Sequence, residues 1–343
     1  MGGQHLLFPI LDGHLNEGGS APPVRRVGIA RLAERAVELD QRNEVDYREI
    51  ACRSLLVTCD SPRVPFELQI NPYRGCEFGC AYCYARYTHE FMELRDWREF
   101  ERRIFVKTGA ANALRSDLRK LNVGRRSIAI GTATDPYQPA ERRYGVMREL
   151  LEVLAARQGL RISITTKSDL VVRDVDLLLA LQERNSISVN VTVTTMDGAL
   201  ARRLEPRAPR PDRRMWAVSR LADAGIRVGV FAMPLMPYLN DSAEGMERLF
   251  EAARDAGAHY LAANILFLRA SSRARFFPFL DEEFPSLAGA YRRLYGAQGR
   301  DALSSHSRHV ATMIDSLRRR FGLARGSGGG AEPPPLQTSL MLE

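Results

Sequence analysis

Between residues 66 and 268, short runs of alternating apolar and polar residues are separated by stretches in which apolar residues recur every three to four positions. Alternation sends successive side chains to opposite faces of a strand, and the longer period lines one face of a helix. Strands are therefore predicted over Phe66–Asn71, Ser127–Gly131, Arg161–Lys167, Ile187–Thr194, Ile226–Met233 and Tyr260–Leu268. Helices are predicted over Tyr84–Phe100 with Ala110–Leu121, then Glu141–Arg157, Val172–Glu183, Pro211–Ala224, Asp241–Ala256 and Glu282–Leu294. A last helix covers Ala302–Arg320, and a short one Ile29–Leu39.

Strands interleaved with helices run parallel and are joined by right-handed crossovers. In Ile187–Thr194, Ile187, Val189, Val191 and Val193 alternate with Ser188, Asn190, Thr192 and Thr194. Helices cover the apolar face, so the inner face is polar. A closed eight-stranded barrel fills its interior with bulky apolar side chains. A six-stranded arc with a polar inner face predicts instead an α/β fold of partial (β/α)6, open TIM-like barrel type, cradling a polar ligand. The chain divides into a partly flexible N-terminal extension (1–50), a core (51–281), a C-terminal helical segment (282–322) and a disordered tail (323–343). That tail carries Gly-Ser-Gly-Gly-Gly and three consecutive prolines, too little apolar surface to order itself.

Composition adds limits. With 343 residues, 45% hydrophobic and 26% charged, the chain reads as an ordinary globular protein. It has no apolar run of membrane-spanning length and no basic start followed by an apolar run, so a cytoplasmic, membrane-free protein is expected. The net charge of +8 suits an anionic substrate or nucleic acid but decides nothing alone.

Cysteine usage is more informative. Of five cysteines, Cys76, Cys80 and Cys83 lie within eight residues, and none follows. Disulfides spread through a fold, so this grouping reads as metal-binding or catalytic. It falls at the carboxyl end of the first strand, where barrel enzymes build their sites. Gly75 and Gly79 free the backbone to wrap a compact object. Three readings stand side by side. A buried helix face fits the i, i+4, i+7 spacing, but two glycines after Pro72 oppose a continuous helix. A non-enzymatic zinc module would add His89 as a Cys3His site, contacting nucleic acid through its arginines. An iron–sulfur cluster held by three thiolates would keep one iron open for a ligand. Cys52 and Cys59 are too few for a second cluster and read as structural thiols.

The segment Asn71-Pro-Tyr-Arg-Gly-Cys76-Glu-Phe-Gly-Cys80-Ala-Tyr-Cys83-Tyr-Ala-Arg86, continued by Thr88-His-Glu90, resembles the radical S-adenosylmethionine (SAM) superfamily. Within it, the chain resembles the spore photoproduct lyase-like branch. The likeness extends to Gly131–Glu141, Thr165–Asp169, Leu204-Glu205-Pro206 and Pro234–Asp241, spanning about residues 54 to 270. It implies a lyase-like enzyme with a [4Fe–4S] cluster on Cys76, Cys80 and Cys83, SAM as cofactor, and an electron donor such as flavodoxin or ferredoxin. By the same resemblance Tyr82 lies against the adenine, and Thr134 and Asp135 reach the amino group of SAM. Lys167 pairs with its carboxylate, and Thr192 and Thr194 bond the ribose. Arg202, Arg203, Arg207, Arg210, Arg213 and Arg214 form either a phosphate-attracting run or a solvated one. Spore photoproduct lyase returns hydrogen through a cysteine placed after the second strand, which this chain lacks. Tyr84, Tyr87 or Tyr137 is the substitute the sequence offers.

Overall fold

The computed structural model describes residues 26–42, 44–60, 64–121, 123–124 and 126–326. Its eleven strands are β1 (Val37–Arg42), β2 (Val45–Ala51), β3 (Val57–Thr58), β4 (Leu68–Ile70), β5 (Tyr73–Arg74), β6 (Arg103–Thr108), β7 (Ser127–Ile130), β8 (Arg161–Thr166), β9 (Ser186–Thr192), β10 (Val228–Leu235) and β11 (Tyr260–Ile265). They form two sheets. The larger has the order β11-β10-β9-β8-β7-β4-β3, and the smaller β1-β2-β6-β5.

In the larger sheet, β4, β7, β8, β9, β10 and β11 pair in chain order and all in parallel, with β3 antiparallel at the edge. The six strands are those the alternation predicts, each within a few residues of its expected bounds. Among the described residues β11 and β3 do not pair, so the sheet stays open. The β11 edge is met instead by Ala324, which bridges to Tyr260. The chain is thus still packed on the sheet at residue 324. The expected tail beyond it, from 327, lies outside the described residues.

Several connecting helices obey local signals. Pro211 starts Pro211–Asp223 at a position whose N–H needs no partner. Ser242 caps Ala243–Asp255 by accepting from the Gly245 N–H. Others depart from expectation. The helix predicted over Tyr84–Phe100 is two short pieces, Tyr87–Glu90 and Glu99–Arg102. Between them Glu93 takes a positive φ, and Asp96 turns its carboxylate onto the Arg98 N–H. Gly145, at φ 63°, splits the predicted Glu141–Arg157 helix. The helix Ala270–Glu283, which carries Pro278 inside it, lies largely where the sequence predicts none.

The small sheet is the larger surprise. A helix predicted to reach Leu39 stops at Glu34, and β1 follows. β2 pairs in parallel with β6, more than fifty residues later. No local pattern announces such a pairing; its support comes from Ile104 and Val106 entering the main core and Phe105 packing with Ile50, Ala33 and Met92.

The polar inner face is present, but part of it is already occupied. Tyr260 lies so close over Gly229 that a β-carbon there would sit 2.1 Å from its ring. The Tyr260 hydroxyl donates to Asn190 Oδ1 at 2.6 Å, and Asn190 Nδ2 donates to Ser163 Oγ at 2.8 Å. These polar residues satisfy one another as a polar core. Ligand space therefore lies further along, at the carboxyl ends of the strands. No helix among the described residues is long and apolar enough to cross a membrane.

Candidate functional site

The loops after β4, β7, β8, β9, β10 and β11 converge on one group of side chains. Phe78, Cys80, Tyr82, Leu204, Met236, Leu266 and Leu268 are buried together, with Cys76 and Cys83 packed against them. Apart from the cysteine loop itself, Leu204 follows β9, Met236 follows β10, and Leu266 and Leu268 follow β11, which is why only the fold brings them together.

The cysteine loop is fixed by its backbone. The Cys76 N–H donates to the Phe100 carbonyl at 2.9 Å and the Ala81 N–H to the Leu204 carbonyl at 2.9 Å. The buried Arg86 guanidinium donates to the Cys80 carbonyl at 2.8 Å while pairing with Glu101 at 2.5 Å. Ser272, on the unexpected helix, donates to the Cys83 carbonyl. Thr134 and Gln138 both donate to the Gly75 carbonyl. Gly75 is required here: at φ 83°, a β-carbon would sit 2.9 Å from two backbone oxygens.

Burial pushes the Cys76 thiol well above its ordinary range, aided by Asp135 and Cys80. Cys80 is pushed up to about 12 by burial, against the pull of Lys167. Cys76, Cys80 and Cys83 thus feel one another electrostatically. Buried thiols keep their protons until a cation displaces them, so this donor set suits soft, multiply charged metal. Among the described residues no three His, Cys, Asp or Glu side chains converge as ligands of a single ion. A cluster of several irons does not need that convergence, because each thiolate takes its own iron. The zinc reading fares worse. His89 is buried, its Nε2 engaged with the Arg103 carbonyl at 3.0 Å and its ring packed on Phe100 and Phe105. It is committed to the small sheet.

Beside the thiols lies a buried charged group. Tyr82 donates its hydroxyl to Glu205 Oε1, which also accepts from Thr194 Oγ1 at 3.2 Å. The second oxygen of Glu205 pairs with Arg214 at 2.5 Å, both side chains being essentially inaccessible. Arg214 also donates to the carbonyls of Thr192 and Pro209. Burial works against the Glu205 charge, yet Arg214 and Lys167 hold its carboxyl below the ordinary range. Burial likewise works against the Lys167 charge, but Cys80 and Glu205 keep it raised. The Lys167 ammonium forms no ion pair or hydrogen bond among the described residues; its contact is the Tyr82 ring, 5.7 Å from the nitrogen.

The expected residues thus have distinct fates. Cys76, Cys80, Cys83, Tyr82, Lys167 and Thr194 share one locale. Asp135 is consumed by structure: it accepts from Thr166 Oγ1, the Lys167 N–H and the Tyr137 N–H, and so fixes the turn that carries Lys167. Thr134 clamps Gly75, and Thr192 contributes its carbonyl to Arg214. Tyr137 is buried beside Asp174 and Glu141, and Tyr87 lies under Arg269, whereas Tyr84 is 46% exposed and follows Cys83 directly. The arginine run is mostly paired: Arg203 with Glu283, Arg207 with Glu101, Arg210 with Asp212, Arg213 with Asp169. Glu205 and Arg214 were missed as site residues. The signal was there in Leu204-Glu205-Pro206, but the run of like charges around it hid one buried arginine among exposed ones.

Spore photoproduct lyase, solved with bound AdoMet and dinucleoside spore photoproduct, matches with a TM-score of 0.60 at 14% identity, covering 88% of this chain and 85% of that one. At that identity the likeness speaks to the fold. Uncharacterised proteins of Mycobacterium tuberculosis and Mycobacterium bovis are 33% identical over 327 residues, 95% of this chain and 93% of theirs. An uncharacterised protein of Methanocaldococcus jannaschii is 33% identical over 172 residues, half of this chain and 61% of its own. The family model for the radical SAM superfamily matches residues 70–250, a span that opens at β4 and contains the cysteine loop, Lys167, Glu205 and Arg214. With more than half its length matched around these residues, the chain belongs to the radical SAM superfamily.

Proposed function

We propose that this chain is a radical SAM enzyme on a partial (β/α)6 barrel, with a [4Fe–4S] cluster held by Cys76, Cys80 and Cys83. The observation that carries the reading is the meeting of three thiols with an unpaired, half-buried ammonium at Lys167. Reduced by a donor such as flavodoxin or ferredoxin, a bound cluster of this kind supplies the electron that cleaves a carbon–sulfur bond of SAM, leaving a 5′-deoxyadenosyl radical to abstract hydrogen. The protein's own part is positioning and enclosure. Lys167 presents a cation to the carboxylate of SAM; Tyr82 offers its ring as one wall; Thr134 and Asp135 order the turn through which SAM's amino group is approached; Thr192 and Thr194 border the ribose. Met236, Leu266, Leu268 and Phe276 exclude water from that end of the sheet.

Damaged DNA is the first substrate to screen, followed by nucleosides and peptides, since the fold is that of spore photoproduct lyase. The lyase reaction itself is not carried over, because no cysteine follows Cys83. Anaerobic purification with metal analysis and an assay for 5′-deoxyadenosine test the proposal. About four irons per chain and reductant-dependent 5′-deoxyadenosine are expected. One zinc without visible absorbance, or full cluster content in Cys76→Ala, Cys80→Ala and Cys83→Ala alike, would overturn it.

A further inference from the structure

Glu205 feels two cations, the buried Arg214 and the half-buried Lys167, and only Arg214 is paired with it. Arg214 holds Oε2 at 2.5 Å, while Lys167 acts on the same carboxylate from a distance and pairs with nothing. A buried ion pair is weak evidence for stability, since apolar side chains of similar volume often serve as well. Here, however, the pair has a local consequence. Asp135 also acts on Lys167, but its oxygens are taken up by the Thr166 hydroxyl and the Lys167 and Tyr137 N–H groups, so the Lys167 ammonium is the cation left without an ion pair. Arg214 is further tied to the Thr192 and Pro209 carbonyls, so it cannot swing away from Glu205. Tyr82 and Thr194 both donate to Oε1, while Oε2 faces Arg214.

We infer that Arg214 is a positioning residue: by claiming Glu205, it keeps the Lys167 ammonium free for the carboxylate of an incoming ligand. Without Arg214, the Glu205 carboxylate would capture Lys167 and close the site from within. This inference deepens the SAM-binding reading above and rests on it.

A double-mutant cycle separates positioning from structure. The readout is SAM affinity by equilibrium dialysis of the cluster-bearing protein, at matched iron content. Arg214→Met is expected to weaken SAM binding about tenfold or more, the worth of one charge-assisted hydrogen bond. In a Lys167→Met background the same change should add no loss, because the residue it acts through is gone. Arg214→Met/Glu205→Gln should recover affinity to within about threefold of wild type, since no carboxylate remains to capture the lysine. In cluster-free protein, Arg214→Met should slow acylation of Lys167, read by mass spectrometry. Equal losses in both backgrounds would mark Arg214 as merely structural and overturn the inference. Should Arg214→Met fail to fold, Arg214→Lys, which retains a charge for Glu205, is expected to bind SAM within about threefold of wild type; a tenfold loss with unchanged melting overturns it. If wild type itself neither carries iron nor binds SAM, the functional reading falls, and unchanged acylation of Lys167 in cluster-free Arg214→Met overturns the positioning role as well.

Discussion

Two arginine–carboxylate networks, each built on buried carboxylates, serve the same fold in opposite ways. The first joins Glu141, Asp174, Arg148 and Arg173. Glu141 accepts from the Tyr73 hydroxyl at 2.6 Å, the Met147 N–H at 2.8 Å and Arg173 at 2.7 Å. Asp174 takes both Arg148 and Arg173 at 2.8 Å. Every charge has a partner, and the network ties the loop before Val146–Ala155 to β5 and to the helix Val175–Gln182. The second network is Tyr82, Glu205, Arg214 and Lys167, where one cation is left over. A saturated network specifies structure; one with an unclaimed charge is free to take a ligand.

The comparison can be broken from either side. The largest effect is expected at the thiols: Cys80→Ala should abolish cluster binding and lower 5′-deoxyadenosine formation at least about a hundredfold, measured by iron content and product analysis. Its melting temperature in the cluster-free state should hardly move. Arg173→Met should do the reverse, costing about 2–3 kcal/mol by denaturant unfolding because Glu141 and Asp174 lose a shared partner, while activity per folded molecule persists. Next comes His89, whose pKa burial lowers from 6.5 to about 4. Its folded pKa lies below the unfolded one, so the unfolded chain takes up the proton first. Stability is therefore full above pH 6.5 and lost as pH falls towards 4, by up to about 3 kcal/mol. His89→Leu should flatten that part of the pH–stability curve; an unchanged slope would refute the assignment. It should also leave iron content intact, unlike a ligand substitution. The smallest effect belongs to Arg213→Ala: its exposed pair with Asp169 should contribute no more than about 0.5 kcal/mol, checked by thermal melting.

Much of the site could be read from the chain because it is written locally. Cys76, Cys80 and Cys83 fall within one loop, and Lys167 follows a strand whose alternation is clear. Thr194 likewise could be placed on a polar register. Asp135 could be placed but not interpreted, since a carboxylate that accepts three hydrogen bonds looks, in sequence, like any Asp-Pro turn. Glu205 and Arg214 could not be told from the solvated arginines beside them. Only burial distinguishes Arg214 from Arg210 or Arg213, and burial belongs to the packed molecule.

The same division holds for the fold. By itself the sequence determined six parallel strands in chain order, the interleaved helices and the loop that carries the thiols, because each rests on periodicity and turn chemistry over a few neighbouring residues. Tertiary structure alone decided the four-stranded sheet, where β2 finds β6 across the cysteine loop, and the pairing of Glu205 with Arg214 rather than Lys167. Both are contests between distant segments, settled by which contacts the packed backbone permits, and no local pattern records the winner.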